Sequence, residues 1–183
     1  KISTNTIALT GKEMQTRFLI GESNIILRPA TEEDLVFQFI LYADTRSDEM
    51  SQVDWSNEQK HAFLSQQFQA QTHHYQVNFP SSTTRIIYLN DQPIGRLILN
   101  TTETYIHIID IALLFKYRNK GIGSILLKEL MKDATSLNLP IVLRVEIFNP
   151  AIHLYQRLGF EKTRSLEVYQ EMVWTPLSQS PKQ

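Results

Sequence analysis

A short basic turn with two glycines, Arg118-Asn119-Lys120-Gly121-Ile122-Gly123, joins an apolar run to an amphipathic segment. The run before it, Ile106 to Phe115, is rich in β-branched and large apolar residues, the composition of a buried strand. After it, Ile122, Ile125, Leu126, Leu130 and Met131 recur at helical spacing, with Lys128, Glu129 and Lys132 on other faces. The glycines therefore sit where a strand becomes a helix N-terminus. There, unpaired backbone N–H groups and the positive end of the helix dipole favour an anion. Only six of 183 residues are glycine, so two at one junction mark a backbone requirement. A helix start that needs glycine merely for a tight turn is the simpler explanation. Arg118 and Lys120 beside the glycines weigh against it, because flanking cations suit a diphosphate. The turn reads as a phosphate or pyrophosphate cradle.

Composition narrows the rest. At 183 residues the chain is long enough for a substantial core. With 42% hydrophobic and 20% charged residues it has the make-up of an ordinary globular protein. A net charge of -1 gives no global attraction to nucleic acid or to an anionic membrane, and neither is expected as a partner. The absence of cysteine removes disulfides, thiolate metal sites and a cysteine nucleophile together. No apolar run approaches the roughly 18 residues of a membrane span. A cytoplasmic protein is the expectation.

Along the chain, residues 1–23 are polar and weakly patterned and read as an N-terminal extension. Residues 24–176 read as a single domain, and 177–183 as a disordered tail. Ile25 to Pro29 reads as a strand, and Thr31-Glu32-Glu33-Asp34 as a capping box opening a helix to about Ala43. Thr45 to Trp55 lacks periodicity and reads as a loop. Ser56-Asn57-Glu58 caps a longer, amide-rich helix carrying Phe63, Leu64, Phe68 and Tyr75. Arg85 to Leu89 and Ile94 to Leu99 form a hairpin about Asn90-Asp91-Gln92-Pro93. Beyond the glycine helix, Ile141 to Phe148 alternates as a strand, and a short helix from Ala151 ends at Gly159. Phe160 to Glu161 and Val168 to Trp174 supply one or two closing strands.

The glycine turn fails two familiar patterns. No G-K-[ST] closes it as in a P-loop, and Leu126 occupies the place of the third dinucleotide-fold glycine. Upstream hairpins also differ from the βαβ repeats of a doubly wound sheet. A second segment, Asn149-Pro150-Ala151-Ile152-His153-Leu154-Tyr155-Gln156-Arg157-Leu158-Gly159-Phe160, carries a tyrosine on a short helix. Alone, Tyr155 would be an ordinary boundary aromatic. Together, L-L-F-K-Y-R-N-K-G-I-G-S and N-P-A-x-x-L-Y-x-R-L-G-F resemble the GNAT superfamily of acetyl-CoA-dependent N-acetyltransferases. The resemblance runs from about Ile25 to Trp174, and the element order β-α-α-β-β-β-α-β-α-β matches that family.

This resemblance implies an α/β (α+β) fold with a central, mixed but mostly antiparallel sheet flanked by helices, its strands splayed to admit CoA. It implies acetyl-CoA as cosubstrate, with no metal. Ile111, Ala112 and Leu113 would offer backbone groups to the pantetheine arm and thioester. Arg118, Asn119, Lys120, Gly121, Ile122, Gly123 and Ser124 would hold the pyrophosphate. Asn149 would touch the pantetheine, although its interval to Tyr155 is one residue shorter than in many family members. Tyr155 would place its hydroxyl near the CoA sulfur and supply a proton or hydrogen bond to the leaving thiolate.

The reaction implied is transfer of an acetyl group to a primary amine by direct attack, without a covalent enzyme intermediate. A base must take a proton from the amine; Glu146 is favoured over Asp110, with an ordered water as an equal candidate. His107 is a further titratable group on the same strand as Asp110. Glu49, Trp55, Gln67 and His74 are candidate substrate-binding residues on the wall formed by the first two helices. For Trp55 a packing role is the stronger reading. The acceptor, a small-molecule amine or a peptide amine, is not identified by sequence, and monomer and homodimer both stay open. A non-catalytic acyl-CoA sensor or scaffold of the same fold is the alternative.

Overall fold

The computed structural model describes residues 16–20 and 23–177, with side chains from Asn24 onward. Eight strands form one sheet in the order β1-β2-β3-β4-β5-β6-β8-β7. Strand β1 (Thr16–Ile20) pairs antiparallel with β2 (Ser23–Pro29), which pairs in turn with β3 (Thr83–Leu89). Strand β4 (Gln92–Thr101) returns beside β3 after a turn at Asn90 and Asp91. Both turn residues have positive φ, 48° and 66°, the geometry that a right-twisted two-residue hairpin favours. Strand β5 (Ile106–Leu113) continues the meander. It then pairs in parallel with β6 (Ile141–Glu146), while β8 (Tyr169–Trp174) and β7 (Glu161–Leu166) close the far edge antiparallel.

The parallel step follows from connectivity. Between β5 and β6 lies α4 (Ile122–Leu137), a crossover helix. Its apolar stripe, Ile122, Leu126, Leu127, Leu130 and Ala134, packs with Ile87, Leu97, Ile106, Ile108, Leu143 and Met172 from one face of the sheet. The short α5 (Ala151–Arg157) adds Tyr155 to that core. On the opposite face lie α1 (Leu35–Thr45) and α3 (Asn57–Asn78). Tyr42, Leu64 and Phe68 form their own cluster, with Phe39, Ala43 and Met50 packed against it.

Several local expectations are met. Thr31 and Asp34 make a capping box ahead of α1, Ser56 caps α3 together with Gln59, and Gly159 follows α5 at φ 90°. Three differ. Thr16–Ile20 is a strand within the segment read as an unpatterned extension, because pairing to β2 decides its state and its five residues carry little pattern of their own. Ser47–Ser51 is a helix, α2, where a loop was expected. Five residues are too few to show periodicity, although Asp48 and Glu49 suit a helix N-terminus. At the far edge both closing strands form, joined at Glu167 with φ 40°. Residues 1–15, 21–22 and 178–183, which include the expected tail from residue 178 on, lie outside the described residues.

Candidate active site

The site begins where a pairing stops. Strands β5 and β6 are matched at Ile106 with Ile141, His107 with Val142 and Ile108 with Leu143, and no further. Both strands continue, β5 to Leu113 and β6 to Glu146, so their C-terminal halves part. The register between β4 and β5 shifts between Ile98 and Leu99, leaving Ile109 as the extra residue on β5. A bulge bends its strand, and this one sits at the point of parting. Beyond it Ile111, Ala112 and Leu113 pair with β4 on one edge only. Their other edge has no strand partner.

At the end of β5 the chain turns through Phe115–Tyr117, a 3-10 turn, into α4. Asn119 and Gly121 have φ 58° and 80°, the left-handed region that a tight turn exploits and that glycine adopts without strain. Gly121 is the residue before the helix, and no side chain caps the helix start. The N–H groups of Ile122, Gly123 and Ser124 are therefore left pointing out of the helix end without intrahelical acceptors. Gly123 is informative because the fold does not need it. A Cβ there would meet only Leu154 Cδ2 at 3.4 Å, an ordinary contact. The space over the Gly123 backbone is thus left open to the outside of the helix end.

The flanking cations divide. Arg118 donates from Nε to the Leu113 carbonyl at 2.8 Å and from Nη2 to Asp44 Oδ2 at 3.3 Å. Asp44 Oδ2 also accepts the Phe115 N–H at 2.7 Å. Arg118 thus braces the turn against the end of α1. Lys120 Nζ lies 5.7 Å from the centre of the Tyr117 ring and keeps its charge at the turn.

At the opposite side of the opening, α5 carries Tyr155, only 7% exposed. Burial pushes its phenol up to about 12, and the negative charge of Asp110 adds to the shift. Asn149 Oδ1 accepts the Ala151 N–H at 2.9 Å, so that oxygen is engaged in starting α5.

Asp110 is the centre of a polar cluster on the α1–α3 face. Arg96 of β4, 5% exposed, donates to Asp110 Oδ2 from Nε at 2.9 Å and from Nη2 at 2.6 Å. Its remaining reach goes to Gln38 Oε1 at 3.4 Å and Gln71 Oε1 at 3.3 Å. Tyr75, one turn beyond Gln71, is likewise pushed up to about 12 by burial and then by Asp110. Residues from α1, α3, β4 and β5 therefore form one polar floor next to the point of parting. Glu146 lies at the end of β6, exposed, in register with Tyr169. Among the described residues it makes no hydrogen bond to this floor, while its charge acts on Arg46 at the end of α1.

The proposed acceptor wall is only partly assembled. Glu49 pairs with Arg46 at 3.0 Å on the surface. Trp55 stacks edge-on against Phe63, 5.3 Å between ring centres, near the start of α3. That is about 18 Å along the helix axis from Tyr75. Gln67 is exposed, and His74 is exposed with its carbonyl accepting from Asn78. The residues brought to the floor are Gln38, Gln71, Tyr75 and Arg96. Arginine between Ile94 and Ile98 in an otherwise apolar strand was the sequence signal for this cluster, because a charge at a covered sheet position needs a partner. Among the described residues no group of three His, Asp or Glu side chains is arranged to hold a metal ion, and no helix is long and apolar enough to cross a membrane.

Comparison with known proteins agrees with this fold. The model of the acetyltransferase (GNAT) family matches residues 46–160. An N-alpha-acetyltransferase from Sulfurisphaera tokodaii is 39% identical over 66 residues, which cover 34% of this chain and 40% of that protein. The match therefore spans well under half of the curated relative's length. Among solved structures, the PaiA N-acetyltransferase of Thermoplasma acidophilum in complex with coenzyme A superposes with a TM-score of 0.63. It has 18% identity, covering 82% of this chain and 98% of that one. A GNAT-family acetyltransferase from Elizabethkingia anophelis with acetyl-CoA bound gives a TM-score of 0.56 and 19% identity, covering 82% and 97%. At these identities the structural likeness speaks for the fold.

Proposed function

The chain belongs to the GNAT acetyltransferase family, and from that premise we propose that it transfers an acetyl group from acetyl-CoA to a primary amine. The observation that carries the proposal is the parting of β5 and β6 beyond Ile108 and Leu143, with the uncapped start of α4 at the same end. Bound acetyl-CoA supplies an activated acetyl group as a thioester. The free edge of Ile111–Leu113 supports a seat for an amide-rich arm by strand-like hydrogen bonds. The N–H groups of Ile122 to Ser124, with Lys120 beside them, suit a diphosphate, and Gly123 leaves room for it.

In the reaction the amine nitrogen forms the C–N bond as the C–S bond breaks. The amine nitrogen loses a proton to Glu146 or to an ordered water, the two candidates for the base, and the sulfur departs with its bonding pair as a thiolate that takes its proton from solvent. Tyr155 suits the sulfur end. A phenol at about 12 stays protonated at neutral pH. Full proton transfer from it to a thiolate of ordinary pKa, about 8.5, is uphill by roughly 5 kcal/mol. Its role is accordingly a hydrogen bond to the developing thiolate, strengthened by burial. Asp110, with its Oδ2 tied to Arg96, suits orientation of the incoming amine. Glu146, at the parted end of β6, stays the candidate base beside it.

Incubation with acetyl-CoA and a panel of primary amines, following release of free thiol, tests the proposal. Amine-dependent thiol release is expected. Stabilisation by CoA with no thiol release across the panel would favour the non-catalytic acyl-CoA-binding alternative.

A further inference from the structure

The sheet face that carries Asp110 holds a second charged group that the reaction as described leaves unused. Arg144 is the first β6 residue past the last β5–β6 pair. Its Nε lies 3.6 Å from Glu171 Oε2, and Arg164 Nε lies 3.8 Å from Glu171 Oε1. The Thr163 hydroxyl donates to the same Oε1 at 3.1 Å. These arginine contacts are ion pairs, too long for hydrogen bonds. Among the described residues no hydrogen bond engages a guanidinium nitrogen of Arg144 or Arg164, whose side chains are 56% and 73% exposed.

The two arginines and Glu171, with Tyr105, His107 and Val142, line a depression of about 240 Å³. One arginine would balance Glu171; the second leaves a positive excess. His107, packed edge-on against Phe79, is kept toward its neutral form by burial and by Arg144. The depression therefore offers two open guanidinium forks, the geometry that takes a carboxylate in paired hydrogen bonds. It also lies at a definite distance from the chemistry. His107 precedes Asp110 by three residues, about 10 Å of strand. An α-carboxylate, two bonds from its amine, would fall short.

We propose that this depression binds a carboxylate on the acceptor, so that the acceptor is an amine carrying a carboxylate several bonds from the nucleophilic nitrogen. This rests on the acyl-transfer reading above. The carboxylate takes no part in bond making; it fixes the amine at the parting of the strands. A polyamine would instead place its second cation against two arginines. The same chemistry is offered by a peptide whose second residue is acidic and by a free ω-amino acid.

The test compares each acid with its amide on the whole protein with acetyl-CoA. The probes are the peptide Ala-Glu-Ala-Ala against Ala-Gln-Ala-Ala, and 8-aminooctanoate, long enough to span the distance, against its amide. The acid of at least one pair is expected to show a KM at least tenfold lower than its amide. Preference in the peptide pair identifies a peptide acceptor, and preference in the other pair a free amino acid. Arg144→Gln and Arg164→Gln should each erase the preference by raising the KM of the acid, with the KM for acetyl-CoA within threefold of wild type. Equal use of acid and amide in both pairs, or a preference that survives both substitutions, would overturn the proposal. If no amine is acetylated, the acyl-transfer reading fails by itself. The anion site is then decided by fluorescence anisotropy of the labelled Glu and Gln peptides. Tenfold tighter binding of the Glu peptide, lost in both variants, supports it, and equal binding overturns it.

Discussion

Tyr155 and Arg96 do different work, and their substitutions should separate cleanly. Tyr155→Phe keeps the ring against Phe160, 5.7 Å between centres, and removes only the hydroxyl. Turnover should fall at least tenfold while the KM for acetyl-CoA stays within threefold, as steady-state kinetics would read. Unchanged turnover would remove the tyrosine from the mechanism. Arg96→Gln leaves Asp110 on the sheet without its cation. Breaking a buried ion pair from one side costs about 3–5 kcal/mol. Asp110 is 22% exposed at its side chain, so the lower end is expected in urea unfolding. The tyrosine was legible because it lies in a motif. The arginine was legible only as an anomaly, a charge between two isoleucines, and its partners Gln38 and Gln71 come from helices whose sequence distance gives no hint of contact.

Helix α4 carries two tests, one at its start and one on its packed side. Gly123→Ala replaces glycine inside the first turn, where alanine is favoured by about 0.5–1 kcal/mol. With only Leu154 nearby, the melting temperature should hold or rise, while CoA affinity falls at least tenfold. A loss of stability with affinity intact would show the glycine to be structural. The contrast is Gly95 on β4. There a Cβ would run into the Ala112 carbonyl oxygen and lie 2.7 Å from Leu113 Cδ2, so Gly95→Ala should destabilise the sheet beside the opening. On the packed side, Asp133 is 4% exposed, and among the described residues its Oδ2 has no hydrogen-bond partner. Burial, with the charge of Glu129 adding to it, raises its carboxyl from 3.8 to about 7, against Arg85 and Lys132. A raised carboxyl favours the protonated folded state, so its stabilising contribution is full below about pH 4 and is lost as pH rises through about 7. Asp133→Asn removes that titration. The variant's advantage over wild type in thermal unfolding should grow from about pH 5 to about pH 8 and then level, reaching on the order of 1–3 kcal/mol. An advantage independent of pH would contradict the assignment.

For the whole molecule, the sequence shows a sheet with a glycine turn at its centre, because strands β2 to β6 and helix α4 are long enough to display their periods. Short elements escape this reading: α2 has five residues, and β1 is held by pairing with β2. The parting of β5 and β6 escapes it for another reason. Both strands keep their alternation past Ile108 and Leu143, with Asp110, Arg144 and Glu146 between apolar residues, and nothing in that pattern states that pairing ends there. The depression at Arg144, Arg164 and Glu171 is equally hidden, since it is assembled from three strands brought together by the β6-β8-β7 order. The central claim is that this parting and the uncapped start of α4 form one seat for acetyl-CoA. Amide hydrogen exchange with and without CoA tests it most directly. Slowed exchange is predicted at residues 111–113 and 119–124, with 25–29 and 85–89 unchanged. Slowing elsewhere with those two segments unaffected, or no slowing under saturating CoA, would contradict it.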